Sequence, residues 1–249
     1  MRVHHHPAYV LLNRPYSETS WIVEVFSREY GRFALIAKGA RRIKSKLKGV
    51  LLPFQPLLLS WTGKGEVPTL TSAEIDQDSY DFTHELVGDA LVCGFYCNEL
   101  ITNLLHRHDP HMTLFDRYHE TIMTLNVIGN DQNIAHPLRD FEKAVMRETG
   151  YEVSFDIESD GRTPIDSDVY YQFQPNQGFV RAPIQTPHQA NMSQTRVQGY
   201  IIKAMAQDES ELSAHELSMS KHLMRDILTQ ILGAKKIVSR SLFFPKDPR

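Results

Sequence analysis

The 249-residue chain has only two cysteines, Cys93 and Cys97. That excludes a disulfide framework and fits a reducing compartment. No apolar run approaches the ~18 residues of a membrane span. The nearest, VLLPFQPLLLSW, is interrupted by Pro53, Gln55 and Pro56. The apolar run from Ala8 to Leu12 is too short for a secretory h-region, so a cytoplasmic protein without membrane contact is expected. Nucleotide-loop, nucleophile-elbow and zincin patterns are all missing, and TGKGE reads as a hairpin turn. Carboxylates are plentiful but form no convincing acid–base pair. Neither an enzyme nor a cofactor is expected.

What is present is an uneven charge. The formal net charge is −3, yet residues 1–73 carry eleven Lys and Arg against four Asp and Glu, a net of +7. The stretch AKGARRIKSKLKG, residues 37–49, holds six cations and no acid: Lys38, Arg41, Arg42, Lys44, Lys46 and Lys48. The bland account is a solvated charged loop. Against it, six cations this close repel one another, and a polyanion relieves that cost. Tyr16, Trp21, Tyr30, Phe33 and Trp61 share the same region. Any ring left exposed would offer a stacking platform for bases.

Five short stretches in the first ~80 residues are rich in β-branched and aromatic residues and partly alternate. They are AYVLLNRP, SWIVEVFS, GRFALIAKG, FQPLLLSW and VPTLTSAEI. Five such strands suit a small closed barrel, with the basic stretch as an exposed connection between the third and fourth. After Asp81 the apolar spacing becomes helical, with Leu86, Ala90, Cys93, Cys97, Leu100, Ile101 and Leu104 on one face. Helices are also predicted from HMTLFDRYHETIMTL, from IAHPLRDFEKAVMRETG ending at Gly150, and from SAHELSMSKHLMRDILTQILG. The last opens on a capping-box pattern, Ser213 with Glu216. Residues 151–183 read as a β-rich insertion held by Phe155, Tyr170, Tyr171 and Phe179. His106, His108 and His111 lack a ligand partner at a known spacing and read as a polar connection rather than a metal site. Cys93 and Cys97, four apart on an apolar face, read as core.

The fold class expected is therefore α+β. The predicted boundaries are a barrel at 1–80, helices at 81–150, the insertion at 151–183, and further helix with a tail at 184–249.

The stretch RPYSETSWIVEVFSREYGRFALIAKGARRIKSKLKGVLLPFQPLLLSWTGKGEVPTLTSAE resembles the N-terminal domain of the RecO family of bacterial DNA repair and recombination mediators. The resemblance rests on SETS, GR…AKGAR, LKG…PF.PL and GKGE…TL…AE. It continues more weakly through YCNELI, LRDFE with TGY, GFV, and KIVSRSLF. It implies an oligonucleotide-binding (OB) barrel followed by a helical domain. Many family members carry a zinc-binding insertion, but residues 151–183 contain no cysteine, so a metal-free subgroup is implied.

By the same resemblance the protein binds single- and double-stranded DNA, anneals complementary strands without ATP, and is nucleoid-associated. With RecR it helps load RecA onto DNA coated by single-stranded-DNA-binding protein (SSB). The basic stretch matches the family's DNA-binding surface, and its density on a barrel connection makes it the expected main DNA contact, helped by Arg14 or Arg32. The acidic C-terminal tail of SSB would meet Arg139, with Leu138, Phe141, Phe115 and Tyr118 as an apolar pocket. Two other classes compete with this reading: an OB-fold RNA-binding protein, and a hydrolase using the histidine cluster.

Overall fold

The computed structural model describes residues 2–79, 85–129, 134–151, 153–182, 195–207 and 212–239. The chain divides into two compact units, residues 1–149 with 237–249, and residues 150–236.

In the first unit, β1 (Arg2–Pro15), β2 (Trp21–Ser27), β3 (Gly31–Ala37), β4 (Leu57–Thr62) and β5 (Thr69–Ile75) close a barrel in the order β1-β2-β3-β5-β4. All neighbours are antiparallel except β3 and β5, which run parallel and meet at Ile36 and Thr69. This is an OB-type barrel, as expected. The period-2 alternation explains its filling. Val23 and Val25, Phe33 and Leu35, and Leu57, Leu59 and Trp61 point inward and form one core. A four-residue helix, α1 (Leu47–Val50), lies between β3 and β4.

Outward residues of β1 and β2 are buried too, because helices cover them. The helices are α2 (Gly88–Leu104), α3 (Met112–Ile128) and α4 (Ala135–Glu148). Tyr9 and Phe26 pack on Phe115 and Tyr118 of α3. Buried Asn98 on α2 joins three elements. Its Nδ2 donates to the Leu11 carbonyl of β1 at 3.1 Å, and its Oδ1 accepts from the Tyr118 hydroxyl at 2.6 Å. Burial pushes the Tyr118 phenol well above its ordinary range. The barrel and the first three helices thus form one unit. The boundary expected at residues 80 and 81 lies outside the described residues. Cys93 packs with Ala90 and Leu125, and burial pushes the Cys97 thiol up; both cysteines are core residues. Near the C-terminus, Glu99 accepts from the backbone N–H of Val238 (3.1 Å) and Ser239 (3.0 Å) and from the Ser239 hydroxyl (2.6 Å). Those contacts tie residues 238–239 to α2.

The second unit contains β6 (Tyr170–Gln174), β7 (Gly178–Arg181), β8 (Arg196–Gln198), α5 (Gly199–Ala206) and α6 (Ala214–Leu232). Its sheet has the order β7-β6-β8, all antiparallel. The β-rich region therefore extends past the 151–183 limits read from composition, because β8 supplies the third strand. The 183/184 boundary itself lies outside the described residues. Phe155 and Phe173 each pack on Phe179 with ring centroids 5.7 Å apart, and Tyr171 is fully buried. Tyr170 differs from expectation: it is half-exposed, with the Arg196 guanidinium 5.7 Å from its ring centroid. A strand alternates its faces, so Tyr170 and Tyr171 cannot both point inward. The capping box at Ser213 and Glu216 is present at the start of α6.

The turn before β6 is held by Asp160. Its carboxylate accepts from the backbone N–H of Arg162 (2.9 Å) and Thr163 (2.8 Å) and from the Thr163 hydroxyl (2.5 Å). These bonds favour the charged form and lower its pKa from 3.8 to about 2, the Thr163 hydroxyl contributing most. Its contribution to stability is present above the ordinary carboxylate pKa and is lost as pH falls toward 2. Carbon-detected NMR titration should show Asp160 ionising near pH 2, and moving up toward 3.8 in Thr163→Val protein. An unmoved titration in that variant would refute the assignment.

Candidate nucleic-acid interface

The basic stretch leaves β3 and is pinned at both ends. At its start, Ala40 is fully buried in the barrel core, and the Arg41 N–H donates to the Thr19 carbonyl at 3.0 Å. The Arg41 guanidinium also donates to the Ser17 carbonyl in the β1–β2 loop. At its end, Leu47 and Val50 pack on the core, Leu51 is buried, and Asn13 Nδ2 donates to the Leu51 carbonyl at 2.7 Å. Between the anchors the chain makes successive tight turns, Arg42 N–H to Gly39 carbonyl (3.1 Å) and Ser45 N–H to Arg42 carbonyl (3.0 Å). The apolar residues hold the segment down and leave the cations outside.

Lys38, Arg41, Arg42, Lys44, Lys46 and Lys48 are all exposed. None forms an ion pair among the described residues. The Ser17 carbonyl orients Arg41 without neutralising it. Ile43, in the middle of the run, is 93% exposed, an apolar surface among the charges. Sequence reasoning passed over it because a single Ile in a charged loop carries no pattern.

Arg14, at the end of β1, is exposed, as a phosphate contact requires. Arg32 is not. It is largely buried, donates to Glu24 Oε1 at 2.6 Å and to the Leu105 carbonyl at 3.1 Å, and serves the fold. Of the aromatics, Trp21, Tyr30, Phe33 and Trp61 pack in or against the barrel core. Tyr16, 58% exposed in the loop that Arg41 touches, is the most exposed of the five and offers a face for a base to stack on.

The pocket expected around Arg139 is corrected. Arg139 is 6% exposed, and its guanidinium donates to Glu142 one turn along α4, while Glu142 also accepts from the Tyr96 hydroxyl at 2.5 Å. Phe115, Tyr118 and Phe141 are buried, and Leu138 packs against the Ala90–Cys93–Leu125 cluster. These residues join helices; they do not line an open carboxylate site. The three histidines are also dispersed. His108 stacks on Phe33, His111 lies between Asp109 and Glu148, and His106 is exposed. Among the described residues no three potential ligands gather around a metal site, and no helix is long and apolar enough to cross a membrane.

Comparison with known proteins agrees with this geometry. A family model described as recombination protein O N terminal matches residues 1–77, and one described as recombination protein O C terminal matches residues 86–235. DNA repair protein RecO of Burkholderia lata is 40% identical over 241 residues, 97% of this chain and 82% of the relative. The RecO of Dechloromonas aromatica is 39% identical over 243 residues, 97% of this chain and 96% of the relative. The chain belongs to the RecO family. It is a DNA repair protein, and neither matched family is a catalytic one. The N-terminal match covers the barrel and the whole basic segment.

Proposed function

We propose that this chain is a recombination mediator that binds single- and double-stranded DNA through Lys38, Arg41, Arg42, Lys44, Lys46 and Lys48, with Arg14 and Tyr16 at the edge. It anneals complementary strands, and with RecR it helps load RecA onto SSB-coated single strands. One observation carries the reading: six exposed cations, none in an ion pair among the described residues, sit on a segment anchored at both ends to an OB-type barrel. Anchoring lowers the ordering cost of binding, and the charge screens the repulsion between two strands as they meet. Base pairing is then downhill, so the reaction consumes no nucleotide. Recognition of the SSB tail belongs to the same reading, on a surface other than the buried Arg139 cluster.

The test is annealing of complementary oligonucleotides precoated with SSB. Added protein is expected to accelerate duplex formation in buffer containing EDTA and no ATP. Absence of acceleration, or a requirement for ATP or zinc, would refute the proposal.

A further inference from the structure

The barrel carries a second cationic feature that adjoins the edge of the basic segment at Arg14. Strand register places Leu12 beside Glu24, Arg14 beside Ile22, and Glu24 beside Ala34 on the outer face of β1, β2 and β3. These residues, with Val67 and Arg107, line a depression of about 170 Å³. Arg107 arrives from the α2–α3 connection. Glu24 lies at the floor and is almost buried. Its Oε1 accepts from Arg32 at 2.6 Å and its Oε2 from Arg107 at 2.7 Å.

The two arginines are not equivalent. The Arg32 side chain is 13% exposed, whereas that of Arg107 is 48% exposed. Arg107 uses one terminal nitrogen on Glu24, and its other donors have no acceptor among the described residues. A guanidinium is a rigid fork suited to an oxyanion. Held by one prong, it presents the other ready-oriented. Arg14 lines the same depression and forms no ion pair among the described residues. Three cations against one carboxylate leave the site positive. Leu12, Ile22 and Val67 supply an apolar floor for a sugar or base.

We infer that Arg107 and Arg14 form a phosphate subsite on the β1–β2–β3 face, with Glu24 as the positioning residue that aims Arg107, and that a single-stranded nucleic acid leaving the basic segment continues across it. The path is continuous. Arg41 touches the β1–β2 loop at Ser17 and Thr19, Tyr16 projects from that loop, and Arg14 precedes it by two residues. This inference rests on the basic segment being the primary DNA contact, so the experiment separates the two.

Binding of a fluorescein-labelled oligodeoxythymidylate is measured by anisotropy against salt for Arg107→Gln, Arg117→Gln and the triple variant Arg41→Glu/Arg42→Glu/Lys44→Glu. Arg117, exposed on α3, controls for the loss of one charge. Arg107→Gln is expected to weaken binding about tenfold, the scale of one charge-assisted hydrogen bond. The slope of log K against log salt should become shallower by about 0.7, one single-strand phosphate. If Arg107→Gln behaves as Arg117→Gln while the triple variant loses binding, the subsite is refuted and the basic segment stands. If Arg107→Gln weakens binding while the triple variant does not, Arg107 still meets a phosphate, but the segment reading falls and with it the path from the segment to the subsite.

Discussion

Protein carrying Arg41→Glu, Arg42→Glu and Lys44→Glu is expected to lose DNA affinity by about 10²–10³-fold at low salt, since three charge-assisted contacts are replaced by three repulsions. If the wild type neutralises about five phosphates, its log K should fall with log salt at a slope of roughly −3.5 on single strands, and the variant should retain at most about −1.4. The loss should be the same for every sequence tested, because phosphate contacts carry no base code. The fold should survive. All three side chains are exposed, and the anchors are Ala40, Leu47, Val50 and Leu51. The one bond lost to the fold is from Arg41 to the Ser17 carbonyl. A thermal melt within a few degrees of wild type, together with unchanged DNA affinity, would remove the segment from the interface.

The exposure of this candidate surface was legible in the sequence, and which residues belong to it only in part. The strands announced themselves by alternation, and the basic run by density. Its solvent exposure followed from its place between two strands. Arg32 shows where such reading stops. It sits on a strand like any other outward residue, and only the fold brings Glu24 and the Leu105 carbonyl to it. Arg139 failed for the same reason. The resemblance places it beside apolar residues as a tail receptor, but a one-residue match says nothing of Glu142 and Tyr96 closing around it. A buried ion pair of this kind stays costly to break from either side. The first half of β1 was also missed. Arg2 and Val3 pair with Thr62 and Trp61, in a stretch whose histidines hide the alternation. Arg107 gave no signal at all, since it stands in a connection whose path is set by tertiary contact.

That path depends on Gly31, and the second large effect is expected there. Gly31 has φ +66°, a region that costs other residues roughly 1–2 kcal/mol. A Cβ on Gly31 would lie 2.0 Å from the Asp109 carbonyl oxygen and 2.5 Å from its carbon. These are backbone atoms, so no rotamer change relieves the clash. The 106–111 connection must lift off β3, breaking the bond from the His108 N–H to the Arg32 carbonyl at 2.9 Å. Adding about 1–3 kcal/mol for forced displacement of packed atoms, Gly31→Ala should cost about 2–5 kcal/mol. For a unit of this size that lowers Tm by roughly 5–15 °C. Gly39→Ala is the control. Gly39 also has positive φ, +72°, but its added Cβ would meet only the Arg42 side chain, at 3.7 Å. Only the backbone term applies there, and the loss should be about 1–2 kcal/mol. Equal melting losses in the two variants would show that the connection yields freely. A larger loss for Gly31→Ala, accompanied by the weaker and less salt-dependent DNA binding expected of Arg107→Gln, would show that one close approach between backbones both stabilises the barrel and holds Arg107 over its outer face.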